Sequence, residues 1–280
     1  MIRETEHRST QVRGLIKAAH PGPSVAVTAL TTSLAASVGL PSGRCVVLAV
    51  AVLAGQLSVG WANDLLDRER DSAAGRRDKP VALGLVSVGA VRTACAAALL
   101  LAVPLSFVNG WRSALAHLVF IASGWAYDLG MKATRWSFVP YAVGFGALPA
   151  IATLALPTHP WPPAWGIAAG ALLGVGAHVA NALPDIEEDR VAGVLGMPQR
   201  LGPQAARTVG AAGLLTGTAA LAFGPGFDAL GAVALLAAGA LAFAAFAIRW
   251  PTNSRTPFVL TVALVVVDVI LLLLRGADLV

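Results

Sequence analysis

Long apolar runs, each close to the length of a bilayer crossing, most limit how this chain can fold. A helix needs about 20 apolar residues to cross the hydrocarbon core of a membrane. Runs of this kind occur nine times, at roughly residues 23–41, 45–63, 91–109, 112–130, 136–157, 163–184, 204–224, 227–248 and 256–274. Because 56% of the residues are hydrophobic and only 12% are charged, we predict an all-α polytopic membrane protein with nine transmembrane helices in one bundle.

The basic residues predict how this bundle is oriented. Lys and Arg are retained on the cytoplasmic side of a membrane. They are frequent in the amino-terminal segment and in the even-numbered loops, whereas the opposite side has only Arg44, Arg112 and Arg275 near the span ends. We therefore expect an integral protein of the cytoplasmic membrane with its amino terminus inside. The net charge of +5 then reflects topology and contact with anionic lipid. The sequence has no basic stripe with interleaved aromatic residues, so we do not predict nucleic-acid binding.

The loop after the second apolar run begins with a dense acidic motif, NDLLDRERD, at residues 63–71. On a helix Asn63, Asp67 and Asp71 have the spacing i, i+4, i+8, which places their oxygen atoms on one face. Carboxylates and a carboxamide suit Mg²⁺, which typically holds one or two protein carboxylates and fills its other positions with water and substrate phosphates. The motif therefore predicts a magnesium site at the membrane boundary.

A second motif repeats the first at a fixed distance along the chain. Residues 181–189 read NALPDIEED, and their asparagine and aspartates match those of the first motif at an offset of 118 residues. The identities continue at the same offset into the following loop, from Ala74-Gly75 to Leu83-Gly84. They predict a single domain over residues 1–280 built from an internal repeat, with halves at roughly 20–135 and 136–255 and a ninth helix at 256–274.

Candidate functional residues follow from the two motifs and their surroundings. The predicted catalytic residues are the motif acids Asp67, Asp71, Asp185 and Asp189, and the predicted metal ligands are these four together with Asn63. Cations beside carboxylates can bind phosphate oxygens that a metal leaves uncovered, and a carboxamide in a bilayer normally faces the bundle interior. The residues predicted on these grounds to bind substrate are Gln56, Arg77, Lys79, Lys132 and the repeat partner Asn181.

Acidic helix ends, neighbouring cations and an apolar bundle together indicate a site for a diphosphate joined to a long hydrocarbon. Mg²⁺ would stabilise the diphosphate as a leaving group, and a water-poor cavity would hold the allylic carbocation that remains. No protein nucleophile is required for this chemistry.

The paired motifs, Asn63-Asp64-x-x-Asp67-x-x-x-Asp71 and Asp185-x-x-x-Asp189, together with the nine spans, resemble the UbiA superfamily of intramembrane prenyltransferases. The resemblance covers essentially the whole chain. It implies an all-helical bundle whose motifs hold Mg²⁺ and an isoprenyl diphosphate. Lys79-Pro80 resembles the family's basic residue and proline after the first motif, and Tyr127 and Lys132 resemble its tyrosine and lysine after span four, which implies a substrate-binding role for Tyr127.

Three functions stay open on the sequence alone. The first is Mg²⁺-dependent transfer of a prenyl group from an isoprenyl diphosphate to a small acceptor, which we expect to be aromatic. The second is a membrane terpene cyclase, which ionises a prenyl diphosphate without an acceptor. The third is a cation-coupled transporter, which also uses repeats and intramembrane carboxylates, although here the acids lie at the cytoplasmic boundary. His117, His178 and Asp268 have no assigned role, and we expect Asp268 to be protonated or hydrogen-bonded.

Overall fold

The computed structural model describes the backbone of residues 2–247 and 256–280 and the side chains of residues 9–245, 256 and 258–280. Within these ranges it is all-helical and contains no β-strand. The α-helices are α1 (Ile2–Ala18), α2 (Pro21–Ser37), α3 (Ser42–Leu66), α4 (Arg68–Ala73), α5 (Val88–Val108), α6 (Trp111–Asp128), α7 (Val139–Thr153), α8 (Ala164–Ala182), α9 (Ile186–Val191), α10 (Met197–Leu201), α11 (Pro203–Phe223), α12 (Ala229–Ala247) and α13 (Thr256–Leu274). The all-α prediction is confirmed.

The long helices follow the apolar runs of the sequence. Each of the nine runs overlaps one of α2, α3, α5, α6, α7, α8, α11, α12 and α13. In the part of the chain that the structure describes, three stretches are both long and apolar enough to cross a membrane, namely Ser42–Leu66, Val88–Val108 and Ala164–Val191. The count of nine spans and the two repeat halves therefore stay predictions. Arg249 and Arg255, which the charge pattern assigns to a cytoplasmic loop, lie outside the described residues.

Proline determines where several helices begin. α2 and α11 start at Pro21 and Pro203, and α7 carries Pro140 at its second position. Proline is favoured in the first turn because its missing N–H has no partner there and its φ is already helical. As a consequence α7 begins three residues later than its apolar run and is only 15 residues long.

The helices pack into one bundle around an aliphatic core. α3 packs on α5, α7 lies between α6 and α8, and α8 also contacts α11. Glycines permit the closest of these approaches: a Cβ at Gly174 of α8 would clash with the carbonyl oxygen of Tyr141 on α7. Small residues at such contacts are typical of membrane helix pairs. They bring α7 and α8 together where the second acidic motif begins.

Both acidic motifs form a helix end, a short second helix and a closing glycine turn. The first motif runs from α3 into α4, and the second from α8 through a 3₁₀ turn at Leu183–Asp185 into α9. Each short helix ends at a glycine with positive φ, Gly75 (65°) and Gly193 (77°), a conformation that glycine adopts without a Cβ penalty. The closing hydrogen bonds are equivalent as well, from Arg76 N to Asp71 O (3.0 Å) and from Val194 N to Asp189 O (2.8 Å). The predicted single helical face is thus interrupted at Asp67 in the first motif and at Pro184 in the second.

Candidate active site

A cavity of about 1520 Å³ opens between the two acidic motifs and extends into the bundle between α2, α3, α6, α7 and α8. Every residue that the sequence analysis selects for the site lies on its wall. These residues are Gln56, Asn63, Asp67, Asp71, Arg77, Lys79, Tyr127, Lys132, Asn181, Asp185 and Asp189. Residues 133 positions apart in sequence, from Gln56 to Asp189, are therefore brought to one cavity by the folding of the bundle.

Asp67, the central acid of the first motif, is buried and fully engaged with cations. The Nζ of Lys132 lies 2.6 Å from both Oδ1 and Oδ2 of Asp67. A guanidinium nitrogen of Arg70 is 2.7 Å from Oδ2. Because Lys132 follows α6 while Asp67 follows α3, this ion pair joins two segments that are distant in sequence.

Asn63, the first residue of the first motif, forms side-chain hydrogen bonds with both Lys79 and Asp128. Its Oδ1 accepts from Lys79 Nζ at 3.1 Å, and its Nδ2 donates to Asp128 Oδ1 at 2.7 Å. Lys79 also donates to Asp64 Oδ1 at 3.1 Å. His20 Nε2 lies 3.4 Å from Asp64 Oδ1. His20 caps the start of α2 and has an unusual positive φ of 50°. All of these polar side chains except His20 and Asn63 are buried.

The second motif is more exposed and has fewer partners. The side chains of Asp185 and Glu188 are 43% and 72% exposed. Asp189 accepts a hydrogen bond from Gln199 Nε2 at 2.8 Å, and Gln199 is itself buried in α10. Asn181 is exposed toward the cavity, as is Arg77 on the opposite side.

Arg76 is the ion-pairing side chain that reaches from the first motif to the second. Its guanidinium lies 3.5 Å from Asp185 and 3.6 Å from Glu188, and it also binds Asp78 of its own loop at 3.0 Å. The bound Asp78 carboxylate raises the pKa of Arg76, which stays charged. This cation of the loop after the first motif lies against the acids of the second motif, where a bound anion would need one.

The inner part of the cavity is apolar and aromatic. Phe120, Tyr127, Tyr141 and Phe145 line it, and the ring centroids of Tyr127 and Tyr141 are 5.2 Å apart in an edge-to-face arrangement. His178 packs against Tyr141 at 4.9 Å and is held by the hydroxyl of Ser137 at 2.9 Å. This wall can surround a hydrocarbon chain, and its ring faces can stabilise a passing cation.

The sequence analysis did not select several residues that the structure places in the site. His20, Arg70, Arg76 and Asp128 line the cavity, and Asp64 and Gln199 contact its ionic side chains. A signal was available for Asp128, since an acid four residues before Lys132 lies on the same side of a helical turn. No local signal indicates Gln199, because its contact depends on how α10 folds back beside α9.

The oxygen donors suit a hard cation, although they do not form a ready-made metal cage. Among the described residues, no group of three or more His, Cys, Asp or Glu side chains converges as a metal site. Asp71 nevertheless keeps a buried Oδ2 without a hydrogen-bond partner in the described part of the chain, and burial raises the pKa of its carboxyl. One or two carboxylates from each motif fit a magnesium ion whose remaining ligands are phosphate oxygens and water.

Two further polar residues of the membrane helices lie away from the cavity. Asp268 of α13 is buried and hydrogen-bonded to Thr218 Oγ1 at 2.5 Å, in agreement with the expectation for a hydrogen-bonded acid. His117 of α6 is buried and bonded to Ser106 at 2.7 Å. Neither residue contacts the two motifs, and both contribute to helix packing.

Comparison with solved structures identifies the same fold. A UbiA homolog from Archaeoglobus fulgidus bound to GPP and Mg²⁺ has a TM-score of 0.68 at 18% identity, over 92% of this chain and 99% of that chain. The apo UbiA homolog from Aeropyrum pernix K1 has a TM-score of 0.69 at 18% identity, over 87% and 96%. A digeranylgeranylglyceryl phosphate synthase structure has a TM-score of 0.68 at 11% identity, over 96% and 99%.

The family follows from the sequence match. No curated protein sequence matches the chain. The model of the UbiA prenyltransferase family matches residues 25–270 of its 280, so that both motifs and nearly all of the bundle fall within the match. This chain therefore belongs to the UbiA prenyltransferase family and is a membrane-embedded, all-helical protein.

Proposed function

We propose that this protein transfers a prenyl group from an isoprenyl diphosphate to a small aromatic acceptor, in a Mg²⁺-dependent reaction inside the membrane. The observation that carries this proposal is the cavity itself, which joins two acidic motifs and several cations at one end to an aromatic, apolar interior at the other. A molecule with a diphosphate head and a hydrocarbon tail matches both ends. The Archaeoglobus fulgidus homologs bound to GPP or DMAPP together with Mg²⁺ support the same assignment.

Each part of the cavity has a role in this reaction. Asp67, Asp71, Asp185 and Asp189, with Asn63, would hold Mg²⁺, which when bound neutralises the diphosphate and assists its departure. Arg76, Lys79 and Lys132 supply positive charge for the remaining phosphate oxygens, with Arg77, Asn181 and Gln56 on the cavity wall. Tyr127 and the neighbouring rings exclude water from the allylic cation while the acceptor approaches.

The orientation of the protein in its membrane belongs to the same proposal. Nine crossings with a cytoplasmic amino terminus would place both motifs on the cytoplasmic side, in reach of a water-soluble diphosphate. Contact with anionic lipid accounts for the basic loops. Cysteine labelling of loop positions from either side of the membrane tests the count of spans.

The direct test of the function is to incubate the purified protein with geranyl or farnesyl diphosphate and Mg²⁺, with and without a panel of aromatic acids and quinone precursors. We expect pyrophosphate release that depends on Mg²⁺ and a prenylated adduct that depends on the acceptor, both detected by mass spectrometry. A hydrocarbon or terpene alcohol formed without an acceptor would identify a cyclase instead. No release of pyrophosphate under any condition would contradict both and reopen cation transport.

A further inference from the structure

Each of the two buried lysines lies between two carboxylates, one in the predicted metal set and one outside it. Lys132 is 2.6 Å from Asp67 and 3.8 Å from Asp128. Lys79 is 3.1 Å from Asp64 and 3.8 Å from Asp71. Asp64 and Asp128 therefore have the same relation to the site: each is a buried acid that lies beside a lysine and that the metal does not need.

The two lysines differ in which carboxylate they bind: one binds the acid outside the predicted metal set and the other the acid inside it. Lys79 donates a hydrogen bond to Asp64, which is outside the metal set, and lies 3.8 Å from Asp71 Oδ2, which has no hydrogen-bond partner among the described residues. Lys132 is bonded to the metal ligand Asp67, whose two oxygens it contacts at 2.6 Å. Because a metal and an ammonium group compete for the same lone pairs, Asp67 becomes fully available to Mg²⁺ only when Lys132 moves away.

Because Lys132 is buried, it needs another ion-pair partner when it leaves Asp67. Only 8% of Lys132 is exposed, and an unpaired charge at such a depth costs several kcal/mol. Asp128 offers the nearest replacement in the described part of the chain. Its Oδ1 accepts from Asn63 at 2.7 Å and lies 3.8 Å from Lys132 Nζ, so that a shift of about 1 Å brings the ammonium group within hydrogen-bond distance of this oxygen. The buried Oδ2 of Asp128 has no hydrogen-bond partner among the described residues.

We propose that Asp128 is the alternative ion-pair partner of Lys132 and positions that lysine when Asp67 binds its metal. The inference rests on the proposed function of the site. In the metal-free protein Lys132 neutralises Asp67. With Mg²⁺ and diphosphate bound, Lys132 pairs with Asp128 and directs its remaining N–H groups to the phosphate oxygens. Asp64 has the corresponding role for Lys79, which already occupies the position that leaves the metal ligand free.

The test measures Mg²⁺ affinity rather than turnover. Isothermal titration of Mg²⁺ into the purified full-length protein is performed in the presence of geranyl S-thiolodiphosphate, which does not ionise readily. Asp128→Asn keeps the shape of the side chain and its acceptor for Asn63, but removes the charge that receives Lys132. We expect the half-saturating Mg²⁺ concentration to rise about tenfold, which corresponds to about 1.4 kcal/mol of coupling.

A double-mutant cycle shows whether this effect passes through Lys132. In a Lys132→Gln background, Asp128→Asn should change the Mg²⁺ affinity by less than about twofold, because the lysine that needs a partner is gone. Lys132→Gln alone should tighten Mg²⁺ binding in the absence of diphosphate, since Asp67 then loses one of its two competing cations and keeps only Arg70. A lysine that only binds phosphate would leave that value unchanged. This second variant keeps the inference testable if Asp128→Asn does not fold.

Asp268→Asn is the matched control, since it makes the same change in another buried carboxylate that lies away from the cavity. Its Mg²⁺ affinity should equal that of the wild type. An unchanged affinity in Asp128→Asn, or an equal loss with and without Lys132, would overturn the role of Asp128. Failure of the wild-type protein to bind Mg²⁺ with the thiolodiphosphate would instead contradict the proposed function itself.

Discussion

The two acidic motifs have the same spacing and the same closing turns, yet they occupy different environments. In the first motif the side chains of Asp67 and Asp71 are 8% and 7% exposed and lie beside two buried lysines. In the second motif Asp185 is 43% exposed and its ion-pair partner is Arg76 of the other motif. The two motifs therefore share their backbone turns, while their surroundings, and with them the electrostatics, differ.

Comparing positions that are 118 residues apart identifies the residues that distinguish the two motifs. Asp64 and Lys79 of the first motif correspond to Ala182 and Met197 of the second. Conversely, the buried Gln199 that binds Asp189 corresponds to the buried Val81. The first motif is thus supported by buried ion pairs, whereas the second has exposed ion pairs with Arg76 and one hydrogen bond from the side chain of Gln199 to Asp189. We infer that acids of the first motif affect both folding and binding, whereas those of the second affect binding alone.

The largest expected effect separates these two roles. Asp67→Ala and Asp185→Ala should each reduce pyrophosphate release by more than about 10³-fold, because each removes a proposed metal ligand whose effect is several kcal/mol. Asp67→Ala should also lower stability by about 3 kcal/mol, the lower end for a broken buried ion pair, since it removes the closer partner of Lys132 and leaves Asp128 at 3.8 Å. Asp185→Ala should cost at most about 1 kcal/mol. Thermal unfolding in detergent measures the difference. An active double mutant would refute the metal site, and equal stability of the two variants would remove the contrast between the motifs.

A pH series tests the buried carboxyl of Asp71. Burial raises the pKa of this group, so that folding favours its neutral form and the protein loses stability as pH rises through the folded pKa. Asp71→Asn should therefore unfold at a higher temperature than the wild type at pH 7, by a few degrees, and this advantage should shrink as pH falls below the folded pKa. Turnover should be lost at every pH. Glu69→Gln, which removes the charge of an exposed acid two residues away, is the matched control for the stability measurement.

Arg76 connects the two motifs, and its removal should act mainly on substrate binding. Arg76→Gln should raise the KM for prenyl diphosphate about tenfold, as expected for loss of a charge-assisted contact, and should change stability by less than about 1 kcal/mol because its partners are exposed. Arg77→Gln is the informative comparison. If the Arg77 variant loses more affinity than the Arg76 variant, the arginine selected from sequence is the better phosphate ligand and the link between the motifs is structural.

The smallest effect is expected at Gln199. Gln199→Val installs the residue found at the equivalent position of the first motif and removes the hydrogen bond to Asp189 Oδ2. Loss of one such bond is worth about 1 kcal/mol, or roughly fivefold in Mg²⁺ affinity. Titration of Mg²⁺ in the presence of geranyl S-thiolodiphosphate measures it. An unchanged affinity would indicate that the backbone turn shared by the two motifs positions Asp189 without help from Gln199.

Much of the site was accessible from sequence, because the residues concerned are repeated or carry charge at the end of an apolar run. The two motifs, Lys79 and Lys132 were selected in this way, and all of them line the cavity. The partners within the site were not. The sequence predicts that Lys132 faces phosphate, but in the structure it binds Asp67 at 2.6 Å, because α3 and α6 pack side by side.

The sequence by itself determined the fold class, the membrane setting and the positions of the acids, since these depend on local hydropathy, helical spacing and fixed-offset identity. Only the tertiary structure decided which acid neutralises which lysine, and that Arg76 spans the two motifs. The physical reason is that Coulomb interactions at a few ångströms depend on distances between separate helices. The sequence defines which residues are charged, and the packing of the bundle defines which of these residues form ion pairs.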